Sequence, residues 1–126
     1  MADTKFEISV ISPEKVLYTG EANHTVIPGS DGSFGVMANH APLIAELGIG
    51  VLKIENGTET LQMVVDGGFA QIKNNVVNVL ANGGDLEKDL KLDVVNKALE
   101  EANNSDSKDK DKEIQKAKVR LTLLKK

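Results

Sequence analysis

The sequence predicts an α+β chain, with an all-β sandwich or barrel over residues 1–86 and a two-helix hairpin over residues 87–126. Three observations predict it. All eleven Gly and all three Pro fall within the first 84 of 126 residues, and none follows. Gly and Pro punctuate strands and turns, whereas their absence permits helix. Apolar residues alternate with polar ones in the first part, the period of a half-buried strand, and recur every three to four positions in the second, the period of a helix face. Charge divides at the same place: residues 1–86 hold four Lys against ten acids, residues 87–126 eleven Lys or Arg against nine.

Phe6, Ile8 and Val10 alternate with Glu7 and Ser9 and open the strand series. Ala22, His24 and Val26 alternate likewise, and further strands are expected over Val51–Glu55, Leu61–Val65, Phe69–Ile72 and Val76–Leu80. Turn signals separate them at Ser12-Pro13, Pro28-Gly29, Asp31-Gly32, Asn56-Gly57, Asp66-Gly67 and Asn74-Asn75. Asn56-Gly57 is a strong hairpin signal because both residues tolerate positive φ. Short strands at this spacing indicate a sandwich or barrel. The first helix carries Leu92, Val95, Leu99 and Ala102 on one face, is capped by Asp89 or Asp93, and ends at Asn103-Asn104-Ser105. Asp106–Lys112 alternates in charge with no apolar residue, and a solvated, mobile connection is expected there. The second helix carries Ile114, Ala117, Leu121 and Leu124. Two stripes so poor in large side chains make a marginal hairpin, able to dock, undock or open when a partner competes for its apolar face.

Composition excludes several functions. One domain, or one plus a small appendage, fits this length. With no cysteine there is no disulfide framework, Cys-based zinc site or thiol catalysis. No apolar run approaches the ~20 residues of a membrane span, and the N-terminus lacks the order of a secretory signal, so a soluble, intracellular protein is the default. A pI near 5.2 argues against nucleic acid. His24 and His40 do not form a metal pair on one element, and no Gly-x-Ser-x-Gly, P-loop or His-Glu-x-x-His string occurs. The Gly29–Gly35 run is followed by strand-like residues, so no helix N-terminus waits behind it for phosphate. The chain therefore reads as a non-enzyme without a metal site. Ile114–Lys126 holds five basic residues and no acid, which is either a solvated face or a cationic helix suited to an acidic partner.

Gly29-Ser30-Asp31-Gly32-Ser33-Phe34-Gly35-Val36, Asn39-His40-Ala41-Pro42-Leu43 and Gly67-Gly68-Phe69-Ala70-Gln71-Ile72 are specific strings. With Ile11-Ser12-Pro13-Glu14, Leu17-Tyr18-Thr19-Gly20 and Val76–Ala81, they closely resemble the epsilon subunit family of bacterial and chloroplast F-type ATP synthases. The resemblance covers essentially the whole chain. It implies a flattened sandwich of about ten strands followed by an antiparallel helical hairpin, in a non-catalytic rotor subunit. Such a subunit holds the gamma subunit, rests on the c-subunit ring, and couples the ring to gamma for proton-driven ATP synthesis. Its helices lie folded on the sandwich or extend into the alpha/beta catalytic head, where they restrain ATP hydrolysis. The implied location is the cytoplasmic face of the bacterial plasma membrane, touched only through the complex, in preference to the chloroplast thylakoid.

The resemblance also assigns residues. The ring-facing loop matches Asp31–His40, with Asp31, Ser33 and His40 as candidates; the family often has an acid where this chain has Ser33. Some members bind ATP through an Ile/Leu-Asp-x-x-Arg-Ala pattern on the first helix. Here the match is Leu92, Asp93 and Asn96, the family's later arginine falls at Asn103, and Lys97 or Arg120 would compensate only with rearrangement. Asn96 replaces a guanidinium that would fork onto phosphate, so ATP is expected to be a weak regulatory ligand or none, and no other cofactor is implied. Lys116, Lys118 and Arg120 are the candidates for inhibitory contacts to beta. Two other readings compete. One is a free-standing β-sandwich module that binds protein or carbohydrate, with a helical oligomerisation tail. The other is a small enzyme with a pocket and a titratable group of shifted pKa.

Overall fold

The computed structural model describes residues 5–105 and 108–124. Four short strands come first: β1 (Phe6–Ile11), β2 (Val16–Ala22), β3 (His24–Gly29) and β4 (Gly32–Met37). Two long ones follow, β5 (Leu43–Asn56) and β6 (Glu59–Lys73), and then β7 (Val76–Ala81) and β8 (Gly84–Leu86). A 3-10 turn over Glu87–Asp89 leads to α1 (Leu92–Asn103) and α2 (Lys110–Leu124).

One sheet runs in the order β2-β1-β7-β6-β5-β3-β4, with β8 also on β6. It becomes two layers because β5 and β6 bend together. Their ladder lapses between Leu47↔Gly68 and Ile49↔Asp66. Gly67 and Gly68 sit there at φ 84° and 128°, where only glycine is at ease. A Cβ on Gly68 would also strike the Leu80 carbonyl and Ala81 Cα. Beyond the bend β6 pairs with β7, and before it with β8. Asp66-Gly67, expected to be a turn between strands, is this bend. Eight strands thus do the work expected of about ten, because β5 and β6 each supply a segment to both layers.

The core lies between the layers. Phe6, Ile8, Val10, Ala70, Ile72, Val77 and Val79 of one layer meet Ile27, Val36, Leu52, Ile54, Met63 and Val65 of the other. In β1 the buried residues are those that the alternation marks. In β3 the phase is the reverse of the expected one: Thr25 and Ile27 are fully buried, and His24 and Val26 are half-buried. The chain passes between layers at Asn23, so the inward parity restarts. Thr25 Oγ1 donates to the Lys53 carbonyl at 2.7 Å, which satisfies the buried hydroxyl.

Turn chemistry was legible to within one residue. Asn74 and Asn75, at φ 53° and 61°, join the paired residues Lys73 and Val76 in a two-residue turn. Asn56, by contrast, stays in β5 opposite Glu59, and the turn residues are Gly57, at φ 66°, and Thr58.

The helices depart further from their sequence pattern. Neither Asp89 nor Asp93 caps α1. The cap position is Lys91, with no side-chain bond, and Asp93 accepts the Val94 N–H within the first turn at 2.9 Å. Val95 and Ala102 are buried, but Leu92 is half exposed. In α2 the buried residues are Ala117 and Leu123; the latter lies off the expected stripe, while Ile114, Leu121 and Leu124 are half-buried. The reason is that α2 packs on both α1 and the β5–β6 surface, so it buries two faces. Val64 belongs to the outward face of β6, outside the sandwich cluster, yet is fully buried there. Lys110–Lys112 is helical, which shortens the expected connection; Asp106 and Ser107 lie outside the described residues.

Candidate functional site

The outer face of the first layer carries a row of exposed apolar side chains. Val16 pairs with Ile11, Ile11 with Leu80, and Leu80 with Phe69, across four neighbouring strands. Their exposures are 60%, 39%, 59% and 56%. Strands stand ~4.8 Å apart, so the row spans about 15 Å. Single exposed apolar residues are ordinary, but a contiguous strip marks an interaction surface. No sequence signal separated these four from core residues, because an interface strand alternates like any other.

The loop residues expected to act together are held apart. Asp31 lies in the turn joining β3 to β4, and His40 follows β4 at its other end. The six residues of Gly32–Met37 intervene as a strand, so roughly 20 Å of extended chain separates the two. Asp31 and Ser33 are exposed at the turn end. His40 Nδ1 is 2.7 Å from the Ala41 carbonyl. Its neighbour Asn39, at φ 66°, donates its backbone N–H to Asn75 Oδ1, so the His40-Ala41-Pro42 loop is braced against the β6–β7 turn.

The second candidate surface is where the hairpin meets the sandwich. The Arg120 guanidinium forks onto Asp66, with Nη1 2.9 Å from Oδ1 and Nη2 2.8 Å from Oδ2. Its Nε donates to Asp85 Oδ2 at 3.1 Å, and Lys15 Nζ reaches the other oxygen of Asp85 at 3.3 Å. The Arg120 and Asp66 side chains are only 13% and 10% exposed. Burial acts to lower the Arg120 pKa, and the hydrogen bonds and charges of Asp66 and Asp85 outweigh it, holding the pKa above its usual value. Ser12 builds the Lys15 end: its Oγ and backbone close a tight turn with Lys15. Arg120 therefore faces the sandwich, while Lys118 is exposed and Lys116 half-buried.

A groove of about 640 Å³ opens beside this cluster, floored by Val94, Val95, Ala98 and Ala102 and flanked by the carboxylates of Asp85, Asp89, Glu101 and Glu113. Of the residues expected to hold ATP, Arg120 lines it, but Leu92, Asp93 and Asn96 do not. Its cations are Lys91, Lys116 and Arg120, and Arg120 is already committed to two carboxylates. Among the described residues no group of His, Cys, Asp or Glu is placed to hold a metal ion, and no helix is long and apolar enough to cross a membrane.

Residues 5–84 match the family model described as the ATP synthase delta/epsilon chain, beta-sandwich domain. The ATP synthase epsilon chain of Leptospira interrogans serovar copenhageni is 44% identical over 124 residues, 98% of each chain. That of Leptospira borgpetersenii serovar Hardjo-bovis is 46% identical over 120 residues, 94% of each. Among solved structures, a chain of the Euglena gracilis mitochondrial ATP synthase, from its OSCP/F1/c-ring assembly, aligns with a TM-score of 0.71 at 25% identity. That alignment covers 97% of this chain and 78% of the other.

Proposed function

We infer that this chain, which belongs to the ATP synthase epsilon chain family, docks its central-stalk partner through the Val16–Ile11–Leu80–Phe69 row. It is a non-catalytic subunit of the rotor, working with gamma, the c ring and the alpha/beta head of a peripheral membrane complex. The observation that carries the docking assignment is the row itself: four apolar side chains exposed in register on a rigid sheet.

The finer assignments are proposals of the same reading. The c ring is met by the Asp31–Ser33 turn, with His40 on a separate surface at the far end of β4. Residues 1–86 supply assembly, and residues 87–126 restrain ATP hydrolysis when they leave the sandwich, with Lys118 and Lys116 meeting acidic residues of beta. The complex faces the cytoplasm of a bacterial cell, and the choice between H⁺ and Na⁺ belongs to the membrane ring. ATP is a weak ligand of the hairpin or none, because the groove excludes Asn96 and sets four carboxylates against a polyphosphate.

Two measurements test this reading. Deleting residues 87–126 leaves a folded sandwich that still assembles, and raises ATP hydrolysis by the complex. A truncated chain that fails to assemble would overturn the division of labour. Calorimetric titration of the full chain with ATP gives no heat of binding in the micromolar range; saturable micromolar binding would overturn the ligand assignment.

A further inference from the structure

We propose that Arg120 is the latch that holds the hairpin on the sandwich, and that Gln62, on the same outward face of β6 as Asp66, is a counterweight that keeps the latch releasable. The regulatory meaning of this device rests on the reading above; the device itself rests on geometry. Arg120 is the α2 side chain whose guanidinium spans two separate pieces of the sandwich, Asp66 at the β6 bend and Asp85 in β8. Its remaining Nη1 hydrogen bond goes to the Lys116 carbonyl one turn earlier, which fixes the fork's direction. Asp66 is itself anchored in the bend: its N–H donates to the Gly83 carbonyl at 2.9 Å, and Gly67 follows at positive φ. A two-point fork onto a fixed carboxylate demands one orientation of α2. Lysine at this position would keep the charge and lose that demand.

The counterweight lies on the same face. Strand alternation places Gln62, Val64 and Asp66 together on the outward side of β6. Val64 is sealed there and Asp66 holds Arg120, so this is the face that the hairpin covers. Gln62 Oε1 is buried and has no hydrogen-bond partner among the described residues. Water would satisfy that oxygen once the hairpin lifts, so its burial favours release. Undocking hydrates Arg120 and Asp66 together, whereas removing one of them leaves the other buried without its partner in the docked state. The docked and open states are thereby set against each other by two groups on one strand, four residues apart.

The chain has no cysteine, so spin labels can be placed at Lys97→Cys on α1 and Thr58→Cys in the β5–β6 turn, both exposed positions. Pulsed dipolar distances on the full chain then report docking. The otherwise unaltered labelled chain gives one docked distance. Arg120→Gln and Asp66→Asn raise the open-to-docked ratio on the order of 100-fold, and Arg120→Lys raises it about tenfold. Adding Gln62→Leu to Arg120→Lys moves the ratio back by about tenfold; a general loss of fold cannot produce that recovery. Docked distances unchanged in both Arg120→Gln and Asp66→Asn would overturn the latch. No recovery with Gln62→Leu would overturn the counterweight. ATP hydrolysis by complexes carrying the same variants separates the two levels: if labels part and hydrolysis stays constant, the regulatory reading fails and the latch stands.

Discussion

His24 and Glu55 show how a histidine that the sequence places in no metal pair is used structurally. His24 Nδ1 lies 2.8 Å from Glu55 Oε2 across the β3–β5 pairing, and Lys53 approaches the other oxygen at 3.7 Å. The His24 hydrogen bond, with the Lys53 and His24 charges, holds the Glu55 carboxyl below its ordinary range, against the desolvation that would raise it. A lowered carboxylate pKa contributes stability above the unfolded value of 4.5 and loses it as pH falls through the folded value. Glu55→Gln is therefore expected to flatten the acid side of the stability profile below about pH 4.5, measured as melting temperature against pH. A profile with the unaltered slope would assign the acid sensitivity to other carboxylates. The sequence singled out His24 and gave no sign of Glu55, because the pair forms only when β3 meets β5, 31 residues later.

Among the elements, strand periods survive folding and helix stripes survive in part. Strands obey their alternation because each layer has one inward face, and the period restarts where the chain changes layers: at Asn23, and at the β5–β6 bend, where the inward positions shift from Leu47 to Leu52 and from Met63 and Val65 to Ala70 and Ile72. Helix α2 defeats the stripe because it is covered on two sides, so Leu123, at 1% exposure, outranks Leu121 and Leu124. Leu123→Ala removes the largest fully buried side chain of the hairpin and is expected to cost about 2–5 kcal/mol of docking. Hydrogen exchange then shows α1 and α2 amides losing protection while β1, β6 and β7 keep theirs. If the strands lose protection equally, hairpin and sandwich unfold as one unit. Arg120 was legible as a cation on a basic helix, but its partner was not. Asp66 is 54 residues away and reads in sequence as half of a turn signal. Leu92, Asp93 and Asn96, the residues that the resemblance assigns to ATP, lie off the lining of the hairpin groove, since a string on one helix does not reveal which side faces the groove.

For the whole molecule, the two-part division of the chain was legible from Gly and Pro usage alone, and the family resemblance supplied the rest of the architecture. What the sequence could not separate was the core from the exposed apolar row, since Phe69 and Leu80 alternate with buried Ala70 and Val79 in the same strands. Phe69→Asp or Leu80→Asp is expected to abolish assembly with the stalk while leaving thermal stability within about 0.5 kcal/mol, as for an exposed substitution. Co-purification with gamma and a melt of the isolated chain check both halves. A variant that still assembles would move the docking surface elsewhere.

The bend at Gly67 and Gly68 has a mechanical consequence. An ordinary sandwich joins its two layers by side-chain contact, and such layers can slide or shear over one another. Here β5 and β6 cross from one layer to the other side by side, so the layers are a single folded sheet joined by peptide bonds and by ladder hydrogen bonds on either side of the crease. A torque applied to the exposed row on one face reaches the opposite face along the backbone, with little slack to absorb. The crease thus makes the sandwich torsionally stiff, while the hairpin is tied on mainly by side chains, the Arg120 fork among them.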